Sequence, residues 1–175
     1  MKPTVCLLLT WILAVWVMPL AAQQRDAAVE VTVEDLQPTP YGVSVTLQAI
    51  PSDEQLRMFI GITEGEAIAR ALGRQKPPRP MTHDLIKTIL DQTGWHVQRV
   101  LIRGISGSTF LADLVLEKDG KIEIVDARPS DAMAIAVRSD AKIFVKPEVF
   151  EMERKQRQRE PEKETTPSPD GGIHL

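Results

Sequence analysis

The sequence predicts one compact α+β domain, in which three or four helices pack on an antiparallel or mixed β-sheet. Two observations lead to this fold class. Apolar and polar residues alternate at a period of two in several short segments, which is the pattern of half-buried strands. These predicted strands outnumber the predicted helices and connect mainly through short turns as hairpins. The domain spans residues 27–150, a usual length for one hydrophobic core.

Composition excludes several classes of protein. Of the 175 residues, 43% are hydrophobic, and 21 basic side chains stand against 24 acidic ones. This length and the single Cys exclude a large nucleotide-binding enzyme, a disulfide scaffold and a multi-span membrane protein. Because the formal net charge is −3, any function on nucleic acid must depend on a local basic patch.

Seven strands are predicted from the alternation and from the turns between the segments. Pro38, Pro40 and Gly42 form the first turn, and Gly107 and Gly120 mark two later ones. The predicted strands lie at residues 29–34, 43–47, 56–62, 95–105, 109–117, 121–125 and 143–145.

The first two predicted helices lie on either side of a proline-rich connector. Thr63 to Glu66 has the Ser/Thr-x-x-Glu form of a capping box, so the first helix starts at Glu64 and Gly73 ends it. Residues 74–80 contain three prolines and must be extended and stiff.

The second helix begins after this connector. Thr82 is its N-cap, Asp84 suits the positive first turn, and Gly94 ends it.

Two more helices follow the predicted hairpins. Ser130 caps the third, and residues 132–137 make it apolar nearly all round, so it should lie deep in the core. Pro147 begins the last helix. From residue 151 the sequence mixes both charges at helical spacing, and later prolines and glycines stop regular structure, so residues 151–175 are predicted to be a charged helical extension with a disordered tail.

The N-terminus has the three-part form of a secretory signal peptide. Lys2 precedes an apolar segment from Val5 to Val17, and the small residues Ala21 and Ala22 lead into a polar sequence. Residues 1–22 are therefore predicted to be a signal that is cleaved after Ala22, with a retained membrane anchor as the alternative. In both cases the domain lies outside the cytoplasm, in the periplasm or secreted, and it meets a membrane only if the signal stays uncleaved.

Cleavage of this signal also decides the cysteine chemistry. Cys6 lies inside the signal, so the mature chain has no thiol. A cysteine nucleophile, a disulfide framework and a thiolate metal site are therefore excluded.

Three segments together resemble a known family. Residues 60–69, 77–85 and 126–136 resemble, in order and spacing, the bifunctional nuclease domain, formerly a domain of unknown function, of bacteria, archaea and plants. The resemblance covers about residues 29–150. It implies a compact α+β domain, often a homodimer, in a family named for activity on both RNA and DNA. The export signal makes a nuclear or repair role unexpected for this chain.

The start of the second helix carries the first candidate site. Thr82, His83 and Asp84 supply a hydroxyl, a possible base and a carboxylate where free backbone N–H groups favour a phosphate. His83 and Asp84 are catalytic candidates, and Thr82, Arg79 and Lys76 are phosphate-binding candidates. The alternative is structural: Thr82 and Asp84 cap the helix, and His83 satisfies a hydrogen bond in the core.

This site lies within the most basic part of the chain. Residues 70–87 contain a single acid, Asp84, against five basic residues, a local excess of four positive charges that suits a polyanion. The basic residues are Arg70, Arg74, Lys76, Arg79 and Lys87.

A second candidate site lies where a strand leads into the third helix. Asp126 and Asp131 are catalytic candidates that could hold Mg²⁺ or Mn²⁺, while Arg128 and Ser130 bind phosphate. The alternative is an ion pair between Asp126 and Arg128, with Ser130 and Asp131 acting only as caps.

Two functional hypotheses follow. The first is an exported nuclease that hydrolyses phosphodiester bonds in RNA or DNA, assisted by Mg²⁺ or Mn²⁺ and without an organic cofactor. The second is a non-enzymatic, dimeric binding or scaffold module of the periplasm. An open cleft that unites His83, Asp126 and Asp131 favours the first, whereas mutual pairing and burial of Arg128 and the acids favours the second.

Overall fold

The structure is a computed structural model, and it describes residues 27–159. The predicted signal peptide at residues 1–22 lies outside the described residues, and so does the predicted disordered tail from residue 160 onward. Among the described residues, no helix combines the length and the apolar character that crossing a membrane requires.

The α+β prediction is confirmed by one mixed sheet of seven strands. All neighbours pair antiparallel except β4 and β7, which are parallel, and the spatial order is β3-β2-β1-β7-β4-β5-β6. The strands are β1 (Val29–Thr39), β2 (Gly42–Ala49), β3 (Gln55–Ile60), β4 (His96–Ser106), β5 (Thr109–Lys118), β6 (Lys121–Ala127) and β7 (Lys142–Val145).

The predicted strand positions are confirmed except at two ends: β1 is longer than expected, and β3 ends at Ile60 rather than at residue 62. Proline was expected to end β1, but this strand continues through Pro38 and pairs with β2 up to Thr39 and Gly42. Its other neighbour, β7, pairs only with residues 29–31. Pro38 therefore lies beyond the end of β7, where β1 has a neighbouring strand on one side and a free edge on the other. The N–H group that proline lacks is not needed at a free edge.

Four helices pack with this sheet. They are α1 (Ile62–Leu72), α2 (Thr82–Thr93), α3 (Pro129–Arg138) and α4 (Pro147–Arg159). α4 confirms the predicted start at Pro147 and the helical character of the charged extension as far as residue 159. α4 packs on β3 and β4, and its Val149 and Phe150 are buried in the core.

The predicted capping box of α1 is wrong. The helix begins at Ile62, two residues before the predicted start, with Gly61 as its N-cap and no side-chain cap. Glu66 instead bonds Arg70 at 2.7 Å, one helical turn further on. The acid near the N-terminus that suits the helix dipole is therefore Glu64, in the third position of the helix.

The predicted caps of α2 and α3 are each displaced. The N-caps are Met81 and Arg128, so Thr82 is the first residue of α2 and Ser130 is the second residue of α3. Pro129 occupies the first position of α3, where its fixed φ suits the helix and its missing N–H costs nothing. The prediction for Asp84 is confirmed, because its carboxylate accepts the backbone N–H of Met81.

The end of α1 differs from the expectation that Gly73 alone stops the helix. Backbone bonds from Gln75 to Arg70 and from Arg74 to Ala71 form a Schellman motif. In this motif Arg74 has a φ of +50°, a left-handed conformation that costs an ordinary side chain about 1–2 kcal/mol. We call residues 73–81, which join α1 to α2, the strap.

The predicted deep position of α3 is confirmed. Residues 132–136 are all buried, and α3 packs on β4, β5 and β7 as well as on α1 and α2. Apolar side chains of β1, β2, β4 and β5 complete the same core. α3 is therefore the element that holds the first two helices to the sheet.

A glycine allows α1 to pack closely on β2. A Cβ atom added at Gly65 would lie 2.7 Å from Cβ of Val43 and 2.5 Å from its Cγ2. Gly65→Ala should therefore destabilise the protein by about 1–3 kcal/mol through overpacking, although alanine is the better helix former. Urea unfolding measures the change. Gly104→Ala is the matched control, since its added methyl meets nothing within 4 Å; equal stability of both variants would contradict this packing.

Candidate functional site

The first turns of three helices line one cleft. Its volume is about 330 Å³, and its walls include residues 63–64 of α1, 81–84 at the start of α2, and Arg128 and Asp131 at the start of α3. The strap closes another side through Gln75 and Pro77. Three helix N-termini, each with free backbone N–H groups and a partial positive charge, therefore converge on one concave surface.

His83 and Asp131 meet within this cleft. Nε2 of His83 lies 3.1 Å from Oδ1 of Asp131, although the two residues are 48 positions apart. The imidazole is nearly buried, with 6% of the residue exposed. A histidine that is held by a carboxylate in this way has a fixed orientation, as a general base requires.

Arg128 joins this pair to α1. Its Nε donates to Oδ2 of Asp131 at 2.6 Å, and its Nη2 donates to Oε1 of Glu64 at 3.0 Å. The Glu64 carboxylate lies over Gly61, where an added Cβ would come within 2.2 Å of it. Arg128 nevertheless remains open to solvent, with 66% of its side chain exposed.

A second ion pair joins α2 to the end of α3. Arg138 donates through Nε to Oδ1 of Asp84, and its Nη1 donates to the carbonyl of Ala134 at 2.8 Å. Only 10% of the Arg138 side chain is exposed. This pair is therefore much better shielded from water than the contacts of Arg128, and its geometry is that of a structural tie.

Comparisons with known proteins identify the family of this chain. The model of the bifunctional nuclease domain matches residues 45–158. The chain belongs to the bifunctional nuclease domain family. Two proteins from different strains of Mycobacterium tuberculosis are each 37% identical to it over 122 residues, which cover 70% of this chain and 71% of each relative. Both bear the name "Uncharacterized protein", so they support the family and add no activity.

In this bifunctional nuclease domain the cleft carboxylates favour the ionised form. Partial burial raises the pKa of Asp131, but the hydrogen bonds with Arg128 and His83 and their charges outweigh it and hold this pKa below its usual range. Burial likewise raises the pKa of Asp84, while Arg138 and the Met81 N–H lower it further than burial raises it. Hydrogen bonds to Asp131 and Glu64 raise the pKa of Arg128.

Four of the sequence-predicted residues line the cleft together with Asp131, and one predicted acid has other partners. Thr82, His83 and Asp84 belong to the walls, as does Arg128. Asp126 instead bonds Arg103 at 2.8 Å, and Arg103 also bonds Asp113. The alternative ion pair between Asp126 and Arg128 is therefore wrong, because Arg128 pairs with Asp131 and Glu64.

The remaining phosphate-binding candidates lie around the cleft rather than in it. Ser130 is buried, with 6% of the residue exposed, so its hydroxyl is poorly placed for a ligand. Lys76 and Arg79 are exposed on the strap and do not line the cavity.

The predicted pair of metal ligands is divided between two arginines. Asp126 bonds Arg103, while both oxygens of Asp131 accept from Arg128 and one of them faces His83. Over residues 27–159, no three His, Cys, Asp or Glu side chains form a group that could hold a metal ion. In this arrangement Asp126 and Asp131 do not form a binding site for Mg²⁺ or Mn²⁺. Metal assistance stays a prediction for which the described residues supply no set of ligands.

The sequence analysis missed two residues of the cleft, Glu64 and Arg138. A signal for Glu64 was present: Glu64, Asp84 and Asp131 each occupy the third position of a helix, where an acid offsets the helix dipole. The capping-box pattern drew attention to Glu66 instead. No local pattern points to Arg138, since its partner Asp84 is 54 positions away.

Acidification should weaken the tie between Asp84 and Arg138. A carboxyl whose pKa is lowered by folding adds stability above its unfolded pKa, about 3.9, and this contribution is lost as the pH falls through the folded value. We expect Asp84→Asn to lower the free energy of unfolding by about 1–3 kcal/mol at neutral pH and to flatten its decline below about pH 4. Urea unfolding across pH measures both effects.

The control is Asp53→Asn, since Asp53 makes no ion pair within residues 27–159 and should leave both quantities near those of the unaltered protein. If Asp84→Asn and Asp53→Asn behave alike, the proposed contribution of the tie to stability is wrong.

Proposed function

We propose that this protein is an exported nuclease that hydrolyses phosphodiester bonds in RNA or DNA. The observation that carries the proposal is the contact of the nearly buried His83 with Asp131 in a cleft that also presents the exposed Arg128. The family name supports a nuclease-like role, and the N-terminal sequence supports export to the periplasm or beyond. Assistance by Mg²⁺ or Mn²⁺ remains part of the proposal, although no step below is assigned to a metal.

In this proposal His83 acts as the general base. If Nε2–H donates to Asp131, the lone pair of the imidazole is on Nδ1, which takes a proton from the attacking water. The water oxygen forms a bond to phosphorus, the bond from phosphorus to the leaving oxygen breaks, and the proton passes to that oxygen. Asp131, whose pKa is lowered, stays ionised and stabilises the imidazolium.

Arg128 and the helix N-termini stabilise the charge that grows on the phosphoryl oxygens. Arg128 always carries its positive charge, and its two carboxylate partners orient it toward the cleft. The N–H groups at the start of α2 and α3 supply further donors that need no rearrangement during the reaction. A bound phosphate would compete with Glu64 for the exposed guanidinium.

Removing the base should abolish most of the activity. We expect His83→Ala and Asp131→Asn each to lower kcat by about 10²–10⁴-fold, the usual contribution of general acid–base catalysis. Cleavage of labelled single-stranded RNA and DNA measures this, with Mg²⁺, with Mn²⁺ and with EDTA. Circular dichroism and urea unfolding establish that the variants are folded.

Two further variants make the assay decisive. His96→Ala removes an exposed histidine that does not line the cleft and should leave kcat unchanged. Asp126→Asn should also have little effect, since Asp126 pairs with Arg103. Equal activity of the unaltered protein and of His83→Ala would assign the cleavage to another site or to a contaminant.

One observation favours a second candidate function, a dimeric binding or scaffold module without catalysis. Each of the three helix-start acids already has a cationic partner: Glu64 and Asp131 pair with Arg128, and Asp84 pairs with Arg138. Such pairing ties α1, α2 and α3 together whether or not a substrate binds. On this interpretation the cleft stabilises the fold, and function depends on association.

The edge strand β6 is the surface that we propose for a homodimer. Within residues 27–159 it pairs with β5 alone, and Ile122, Ile124 and Val125 are exposed on it, Ile124 by 64%. A second copy running antiparallel would bring the Lys121 end of one strand to the Asp126 end of the other, and the contact is self-complementary. The strand at the opposite edge, β3, is in contact with α4.

A charge on this edge should separate the copies. We expect the mature chain to elute at twice its monomer mass and Ile124→Lys to elute as a monomer, because a lysine on an edge strand blocks further pairing. Light scattering during gel filtration measures the mass. Phe59→Lys is the control on the opposite edge, β3, and should remain dimeric; a monomeric unaltered chain contradicts the proposed dimer.

A further inference from the structure

The strap forms a rigid wall beside the cleft. Gln75, Pro77 and Met81 line the cavity directly, while the residues between them face solvent. Three prolines in this segment fix φ and disfavour a helical conformation, so the strap is conformationally restricted and has no regular secondary structure. Its path turns at residues 73–74 and bends at residues 78–79. A segment restricted in this way holds its side chains in few arrangements beside the cleft.

The positive charge that remains available is concentrated on this wall. Of the five basic residues at positions 70–87, Arg70 pairs with Glu66 and Lys87 pairs with Asp91. Arg74, Lys76 and Arg79 are exposed, and none of them makes an ion pair in the part of the chain that the structure describes. The cleft acids, by contrast, are already paired with arginines. The unpaired cations that a polyanion could contact beside the cleft are therefore on the strap.

The cleft itself excludes a rigid double helix. A volume of about 330 Å³ is at the small end of ligand pockets, and His83, on its inner wall, is only 6% exposed. The phosphates of a duplex lie on the outside of a stiff cylinder and cannot follow a concave surface to such a depth. A single strand can turn one nucleotide inward while its neighbours stay outside.

We propose that the strap binds the sugar–phosphate backbone of a single-stranded nucleic acid through Arg74, Lys76 and Arg79, and thereby directs one nucleotide into the cleft. This inference rests on the proposed nuclease function and names its substrate class. The contacts are to phosphate, so they are independent of base sequence and depend strongly on salt.

The backbone conformation of Arg74 agrees with this role. Its φ of +50° is a position where glycine is the usual residue. Arginine here holds a cation at the start of the strap despite the strain. Arg74→Gly should consequently raise the urea midpoint of unfolding and weaken binding, a combination that a purely structural residue would not give.

The main experiment measures binding without cleavage. The full chain carrying His83→Ala is titrated against fluorescent single-stranded RNA, single-stranded DNA and a duplex, over a range of salt concentrations. Adding Arg74→Ala, Lys76→Ala and Arg79→Ala together should weaken single-strand binding about 10–100-fold at low salt. The negative slope of log K against log salt should become shallower by about 2. The RNA and DNA arms show which strand is preferred.

A charge-matched control removes three exposed cations elsewhere. Arg57→Ala, Arg99→Ala and Lys155→Ala delete the same residue types away from the cleft and should leave affinity and slope near those of the parent. Equal losses in both triple variants, or equally tight binding of duplex and single strand, overturn the inference.

The outcomes also separate this inference from the proposed function. Strap-dependent binding by a chain that never cleaves supports the inference and contradicts hydrolysis. Cleavage with a KM that is unchanged by the strap triple variant supports hydrolysis and contradicts the inference.

Discussion

The burial of α3 is the constraint on which the whole site depends. Its residues 132–136 are enclosed by the sheet on one side and by α1 and α2 on the other. Burying a single side chain such as Met133 contributes about 1.5–3 kcal/mol, and a helix that is packed all round cannot slide or rotate without losing several such contributions. The first turn of α3, with Arg128 and Asp131, therefore has one position, and α1 and α2 bring their own first turns to it.

This convergence creates an electrostatic problem that the two arginines solve. An acid at the third position offsets the dipole of each helix, but three carboxylates around one cleft would repel each other. Arg128, the N-cap of α3, and Arg138, its last residue, pair with these acids. Their exposure separates their roles: Arg138 is shielded and serves the fold, whereas Arg128 is open to solvent and remains available to an anion. The same residues can therefore support either a scaffold or a catalytic cleft.

The fold was predictable from the sequence because its signals are local. The alternation in β1 and β2, the turn glycines and the apolar segment at residues 132–136 each act within a few positions. The helix caps were predicted less well, since the same residues fit a Ser/Thr cap or an acid at the third position. His83 and Asp131 could be named as candidates from their chemistry, but the distance between them depends on tertiary packing. Asp126 shows this limit: the pairing of β5 with β6 brings it beside Asp113, and Arg103 bonds both.

The charge of the segment at residues 70–87 shows how secondary structure decides which side chains can act. The sequence predicts an excess of four positive charges there. Arg70 and Lys87 lie on helices, and each has an acid four positions away, at Glu66 and Asp91, which is the spacing that brings side chains together on a helix. Residues 70–83 contain no acid, so Arg74, Lys76 and Arg79 have no partner at that spacing. The prolines therefore account for the rigidity of the strap, and the absence of nearby acids accounts for its unpaired positive charge.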